Sequence, residues 1–135
     1  MSPDNAAKNA GADQVHDDPV EVFQSAFWRR PGEQDEILHA ERRHWLDEGE
    51  VSKWQWFLEV RPSQELVHYL RDRNAFSLSP LEAGRFVAHA PQWFRYPSEG
   101  ATAFGVSSGE MYLVFCADGR LFATGQGAGF QQAFE

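Results

Sequence analysis

Residues 111–125 restrict the fold of this chain more than any other segment. Two runs of apolar, β-branched and aromatic residues are joined there by Asp118-Gly119. An Asp-Gly pair between two such runs is the strongest short-range signal for a β-hairpin. The sequence therefore predicts an antiparallel hairpin, and a two-residue turn would place Phe115 opposite Phe122. Both faces of the hairpin are apolar, so we expect other elements to cover both sides of the sheet.

Helix signals dominate the first two thirds of the chain. Asp18-Pro19-Val20-Glu21 combines an N-capping residue, a proline at the first helical position and an acidic residue in the first turn. The helix that begins there would end at Pro31-Gly32. Further helices are predicted over 33–48, after Ser63, and over a short stretch that begins at Ser79-Pro80-Leu81-Glu82.

Residues 53–61 carry a strand pattern, because large apolar side chains occupy every second position from Trp54 to Val60. Another strand is predicted near 101–107. The fold class is therefore α+β: N-terminal helices packed on an antiparallel sheet of about four strands that ends in the C-terminal hairpin. We expect 53–60 to pair with, or lie beside, the C-terminal three strands.

Length and composition limit the organisation of the chain. Its 135 residues suit one domain, and 42% hydrophobic residues are enough for one core. Residues 1–17 have little to bury and are predicted to be disordered, which leaves 18–135 as a single α+β domain. No apolar run approaches the length of a membrane span. We expect a soluble, cytoplasmic protein. A chain from which an N-terminal signal or anchor had been removed would show the same sequence features.

A chain with a formal net charge of −8 repels the nucleic-acid backbone unless its basic residues are gathered on one face. No run of Lys and Arg is longer than two residues, so we do not expect nucleic acid as a partner. The lone Cys116 excludes an internal disulfide and a zinc site built from several cysteines. It lies among apolar residues, where we expect a buried, inert thiol. No cofactor is predicted.

Several short motifs resemble functional sites without the required context. Gly105-Val106-Ser107-Ser108-Gly109 matches a nucleophile elbow, but a strand follows it and no histidine lies beyond His89. Gly125-Gln126-Gly127-Ala128-Gly129 could bind an anion, but it opens no helix and has no partner lysine. We predict ordinary turns at both places.

Two Glu-x-x-His pairs, at 36–39 and 41–44, have the spacing of helical metal ligands. On one helix the two pairs would point in nearly opposite directions, so they could not share an ion and we predict no metal site. Glu41 is the one acid that projects into the apolar stripe of that helix. It would be paired, half-exposed, or the acid of a ligand pocket.

The segment 91–97 is the best candidate for a binding surface. Trp93, Phe94, Arg95 and Tyr96 are flanked by prolines, and Trp, Tyr and Arg dominate binding hot spots. The alternative is a loop folded back over the sheet, since large rings seldom stay fully wet.

No catalytic constellation is present, so the prediction leans away from an enzyme. The favoured function is a small acidic binding or regulatory module, such as an inhibitor or immunity-type protein, that engages a protein partner through 91–97. A partner with a basic surface would be steered by the charge. The first alternative is a small-ligand binder or modest enzyme with a cleft around Glu41. The second is a structural role in which an outer strand pairs with a second copy, and the oligomeric state is left open.

Overall fold

The computed structural model describes residues 14–46, 48–85, 87–106 and 110–128. In chain order its elements are β1 (Gln14–His16), α1 (Pro19–Phe27), β2 (Glu36–Leu46), β3 (Ser52–Arg61), α2 (Gln64–Val67) continued by a π-helical turn (His68–Asp72), β4 (Ser79–Leu81), β5 (Thr102–Gly105), β6 (Met111–Phe115) and β7 (Leu121–Ala128). The protein is α+β. Strand β1 falls inside the range predicted to be disordered, and residues 1–13 lie outside the described residues.

Both helices begin where their capping residues predict. The Asp18 carboxylate accepts a hydrogen bond from the backbone N–H of Glu21 at 3.1 Å, and Pro19 occupies the first turn. The Ser63 hydroxyl accepts one from the N–H of Leu66, also at 3.1 Å. Helix α1 ends earlier than Pro31, because Trp28 adopts the left-handed conformation with φ of 60°.

The described strands form one antiparallel sheet of seven strands in the order β1-β2-β3-β7-β6-β5-β4. Strand β3 lies beside β7, as predicted for 53–60. After β3 the chain passes to the far edge and returns through β4, β5, β6 and β7. Residues 62–78 connect β3 to β4, and residues 82–101 connect β4 to β5.

The sheet is larger than predicted because two segments assigned to helices are strands. Residues 36–46 of the predicted helix 33–48 form β2, which pairs with β3 along its whole length with one bulge between Ile37 and His39. The short helix predicted at Ser79 is β4. Both corrections come from pairing between strands: β2 pairs with the next strand, β3, and β4 pairs with β5 across a long connection. Capping and propensity signals within one segment do not register such pairing.

The hairpin of β6 and β7 exists, but its predicted register is wrong by one residue. Val114, not Phe115, is opposite Phe122. The loop has three residues, because the N–H of Cys116 bonds to the carbonyl of Arg120 and Gly119 has a φ of 93°. A three-residue loop with glycine in the left-handed region is the common alternative to a two-residue turn.

The two edges of the sheet are short. Strands β1 and β4 have three residues each, and β4 contains Pro80, which lacks a backbone N–H. Short edges and an edge proline hinder strand addition by another chain. Strand β1 pairs with only three residues of β2, however, and within the described residues the rest of the outer side of β2 has no strand partner. Edge pairing with a second copy therefore stays an alternative prediction.

One face of the sheet packs against the helices. Phe23 and Phe27 of α1 and Leu66 and Leu70 of the α2 segment have no more than 1% of their surface exposed. They share a core with the alternate β3 residues from Trp54 to Val60. Trp56 is buried in this core, and the half-buried Trp54 packs against it.

Gly125 and Gly127 of β7 make room for the two tryptophans of β3. They lie opposite Trp56 and Trp54 respectively in the strand pairing. A Cβ atom at Gly125 would lie 2.5 Å from the Trp56 ring, well inside van der Waals contact. The glycines of this run therefore serve close packing of the sheet, and Gly129 lies outside the described residues.

Replacing Gly125 with alanine is expected to lower the free energy of unfolding by about 1–3 kcal/mol, because the added methyl group overpacks the core. Urea denaturation monitored by tryptophan fluorescence measures this change. Gly84→Ala is the matched control, since no atom lies within 4 Å of the position of its Cβ. Equal stability of the two variants would contradict the assigned role of Gly125.

Candidate functional site

The loop 82–101 covers the second face of the sheet, opposite the helices. Its anchor is Phe94, which is 6% exposed and packs edge-on against Phe57 of β3 and Phe122 of β7 at centroid distances of 5.3 and 5.6 Å. Tyr112 and Val114 of β6 belong to the same apolar cluster. The expectation that both faces of the sheet are covered is confirmed.

Side chains of the sheet also bond to the backbone of this loop. Three of them take part: Tyr112 with Glu82 and Arg85, Gln55 with Ala88, and Arg43 with His89. The Arg43 guanidinium donates to the His89 carbonyl at 2.6 Å, and the Gln55 side-chain amide donates to the Ala88 carbonyl at 3.3 Å. Three of these four bonds are half-buried and the Arg43–His89 bond is exposed, and together they hold the loop backbone in one position on the sheet.

A chain of polar contacts leads from the hairpin turn to Trp93. The Asp118 carboxylate accepts from Arg120 Nε, and Arg120 Nη1 donates to Glu59 Oε2, each at 2.8 Å. Glu59 Oε1 lies 2.7 Å from His39 Nδ1. The His39 ring stacks on Trp93 with a centroid distance of 4.8 Å. The position of Trp93 is thus tied to a buried carboxylate of β3.

Two members of this series of polar contacts, Asp118 and Arg120, have shifted pKa values, and so does Tyr96 in the covering loop. Hydrogen bonds from the backbone and side chain of Arg120 lower the pKa of Asp118, and the carboxylates of Glu59 and Asp118 raise the pKa of Arg120. Burial, with a smaller effect of Tyr112, raises the pKa of Tyr96. The Tyr96 hydroxyl therefore keeps its proton at neutral pH and can act as a hydrogen-bond donor.

The four residues predicted to bind a partner differ in exposure. Arg95 is exposed, Trp93 and Tyr96 are half-buried, and Phe94 is buried. Tyr96 leans against Phe122 at 5.2 Å. The loop is therefore folded back on the sheet, as the alternative interpretation held. Arg95 and the outer parts of two rings remain available at its surface.

A groove of about 610 Å³ runs beside these residues. Phe94, Arg95 and Tyr96 form one part of its wall, and Gly84, Arg85, Val87, Ala90 and Ser98 form the rest. Two exposed arginines, Arg85 and Arg95, thus border a groove with two aromatic rings in its wall. They do so in a chain whose net charge is −8.

Glu41 lies on β2 and faces the loop side of the sheet. Its carboxylate accepts a hydrogen bond from Nε of Arg43 two residues later, and 18% of its side chain is exposed. Glu41 lines neither this groove nor a second cavity, which lies around Gln55. The Glu-x-x-His pairs belong to the same strand, so the helical spacing that suggested metal ligands does not exist.

Within the described ranges, no group of three His, Cys, Asp or Glu side chains is placed to hold a metal ion. Ser107, Ser108 and Gly109 of the nucleophile-elbow pattern lie outside the described residues. Cys116 is buried, and burial raises the pKa of its thiol. No helix in the part of the chain that the structure describes is long and apolar enough to cross a membrane.

The sequence reasoning missed two groups of residues with functional potential. Trp28 is 62% exposed and meets Phe76 edge-on at 5.1 Å, beside Tyr69 and Arg29. A Trp followed directly by an arginine, Trp28-Arg29, is a signal that could have indicated this surface. The second group lines a cavity around Gln55, a polar residue in a strand whose two faces are both buried.

Comparisons with protein-family models, with curated proteins and with solved structures found no match for this chain. The function must therefore be argued from the site alone.

Proposed function

We propose that this protein is a small, non-catalytic binding or regulatory module that engages a protein partner through the loop 91–97. The observation that carries the proposal is the support of this loop. Phe94 anchors it in the second core, while Arg95 remains exposed beside the groove. A loop held in place before binding loses little conformational entropy when a partner docks.

The contact chemistry suits a protein partner. Arg95, with the outer parts of Trp93 and Tyr96, supplies the residue types that dominate protein interfaces. The groove next to them would receive an acidic or polar side chain of the partner. The net charge of −8 would steer a partner whose surrounding surface is basic. An inhibitor or immunity-type protein is one concrete form of this function, in a cytoplasmic setting without nucleic acid.

The alternative, a ligand cleft or modest enzyme built around Glu41, has weaker support. The Glu41 carboxylate is already compensated by Arg43. A general acid or base needs a free carboxyl group within reach of a substrate.

Affinity capture with defined variants tests the proposal. Wild-type protein, Arg95→Ala and Arg30→Ala are immobilised and exposed to lysate of the source organism. Arg30→Ala is the control, because Arg30 is an exposed arginine outside the loop. We expect a partner that wild type and Arg30→Ala retain and Arg95→Ala loses, with a dissociation constant weakened about 10–100-fold by the loop variant. A partner bound equally by all three variants would contradict the role of the loop.

A further inference from the structure

A cavity of about 200 Å³ lies between the sheet and residues Arg85, Val87 and Ala88 of the covering loop. Its walls are formed by Gln55, Arg85, Val87, Ala88, Tyr112, Thr124 and Gln126. This volume is below the roughly 300–1,000 Å³ of pockets for drug-sized ligands. It leaves room for about ten non-hydrogen atoms at the packing density of protein interiors.

Gln55 is the central polar group of this cavity. The residue is 3% exposed, and its Nε2 donates to the Ala88 carbonyl. Its Oε1 is buried and accepts no hydrogen bond from any residue that the structure describes. A buried acceptor without a donor is destabilising, so such atoms in native proteins call for an explanation. A ligand that carries an N–H group would supply the missing donor.

The other polar groups define the rest of the ligand. Tyr112 OH is occupied, because it donates to Glu82 and accepts from the N–H of Arg85. Thr124 Oγ1 donates to the Trp56 carbonyl at 2.9 Å and can still accept one further bond. Arg85 is exposed, and its guanidinium forms no ion pair with a described residue, so it can bind a carboxylate.

We propose that this cavity binds a small carboxylate of amino-acid size that also carries an N–H donor. The donor would bond to Gln55 Oε1 in the buried part, and the carboxylate would pair with Arg85. The cavity shares Arg85 and Val87 with the groove beside Arg95, but Arg95 itself is not in its wall. Its test requires no protein partner, so it can fail independently of the partner-binding role of Arg95.

L-glutamine is the probe, because it combines a carboxylate with amide N–H donors. Glutarate, which has no N–H group, and butyramide, which has no carboxylate, are the comparators. Titration of ¹⁵N-labelled protein monitors the side-chain amide signal of Gln55 and the backbone signal of Ala88. We expect L-glutamine to bind with a dissociation constant of about 1 mM, and each comparator to bind at least about tenfold more weakly.

Variants assign the effect to named groups. Arg85→Met should weaken L-glutamine binding about tenfold or more, and Arg30→Met should leave it unchanged, because Arg30 is remote from the cavity in the chain and absent from its walls. Gln55→Met should abolish binding. Since Arg85 is exposed, its replacement keeps the test decisive even where Gln55→Met fails to fold. No spectral change with L-glutamine, equal binding of all three compounds, or unaltered binding by Arg85→Met would overturn the proposal.

Discussion

Replacing Phe94 with alanine is expected to lower the free energy of unfolding by about 3–5 kcal/mol, the usual cost of emptying a buried phenylalanine site. Phe94 is only 6% exposed, and its ring meets Phe57, Phe122 and Tyr96 within 6 Å. Aromatic pairs of this kind add to the energy of burial alone. The loss falls on the side of the sheet that loop 82–101 covers.

Urea denaturation monitored by circular dichroism measures this loss. Phe76→Ala is a suitable comparison, because Phe76 is half-buried on the helical side and its removal should cost about 1–2 kcal/mol. Limited proteolysis adds a local readout: the loop 82–101 of the Phe94→Ala variant should be cleaved before the sheet unfolds. A loss below about 1 kcal/mol, or an uncleaved loop, would contradict the anchoring role of Phe94.

Elements with local signals were predictable from the sequence. Asp18-Pro19 and Ser63 start the two helices, since their side chains cap the first turn. The alternation of 53–61 and the Asp118-Gly119 turn likewise act over a few residues. These signals depend on neighbours in the chain and gave the elements correctly, although the turn has three residues and not two. The capping signal at Ser79 is equally local and was wrong, because that segment pairs with β5.

Strand β2 was predicted wrongly as a helix, because its local signals favour that conformation. Its sequence from Glu36 to Leu46 is rich in Glu, Arg, Ala and Leu, which favour helices. Two of its polar side chains contact residues far along the chain: His39 contacts Glu59, and Arg42 Nη1 donates to Ser25 Oγ. Pairing with β3 decides the conformation, and that pairing leaves no trace in a local pattern.

The candidate site was predictable only in part, because its geometry also depends on contacts between residues that are distant in sequence. Composition singled out the aromatic loop, but burial of Phe94 depends on Phe57 and Phe122, which are distant in sequence. The cavity around Gln55 forms only when loop 82–101 covers the sheet. A glutamine between Trp54 and Trp56 in a strand buried on both faces is the single sequence signal that could have indicated it.

Replacing Arg120 with methionine is expected to destabilise the protein by about 2–4 kcal/mol, because it removes the charged partner of a buried carboxylate. The Glu59 side chain is 8% exposed, and Arg120 Nη1 lies 2.8 Å from its Oε2. Methionine keeps most of the apolar length of the arginine stem, although it loses the contact of the guanidinium with the Phe122 ring at 5.1 Å. The loss therefore reports the charge and its hydrogen bonds more than lost packing.

The double variant Glu59→Gln, Arg120→Met separates these contributions. Removing the buried negative charge along with its partner should restore at least about 1.5 kcal/mol relative to Arg120→Met alone, since contacting residues in one ion-pair network are not additive. Chemical denaturation of the wild type, both single variants and the double variant gives the coupling energy directly. The same cycle bears on the loop, because Glu59 also holds His39, on which Trp93 stacks. Additive losses would mean that Glu59 is already compensated by His39 and solvent, and that the hairpin turn does not support the position of Trp93.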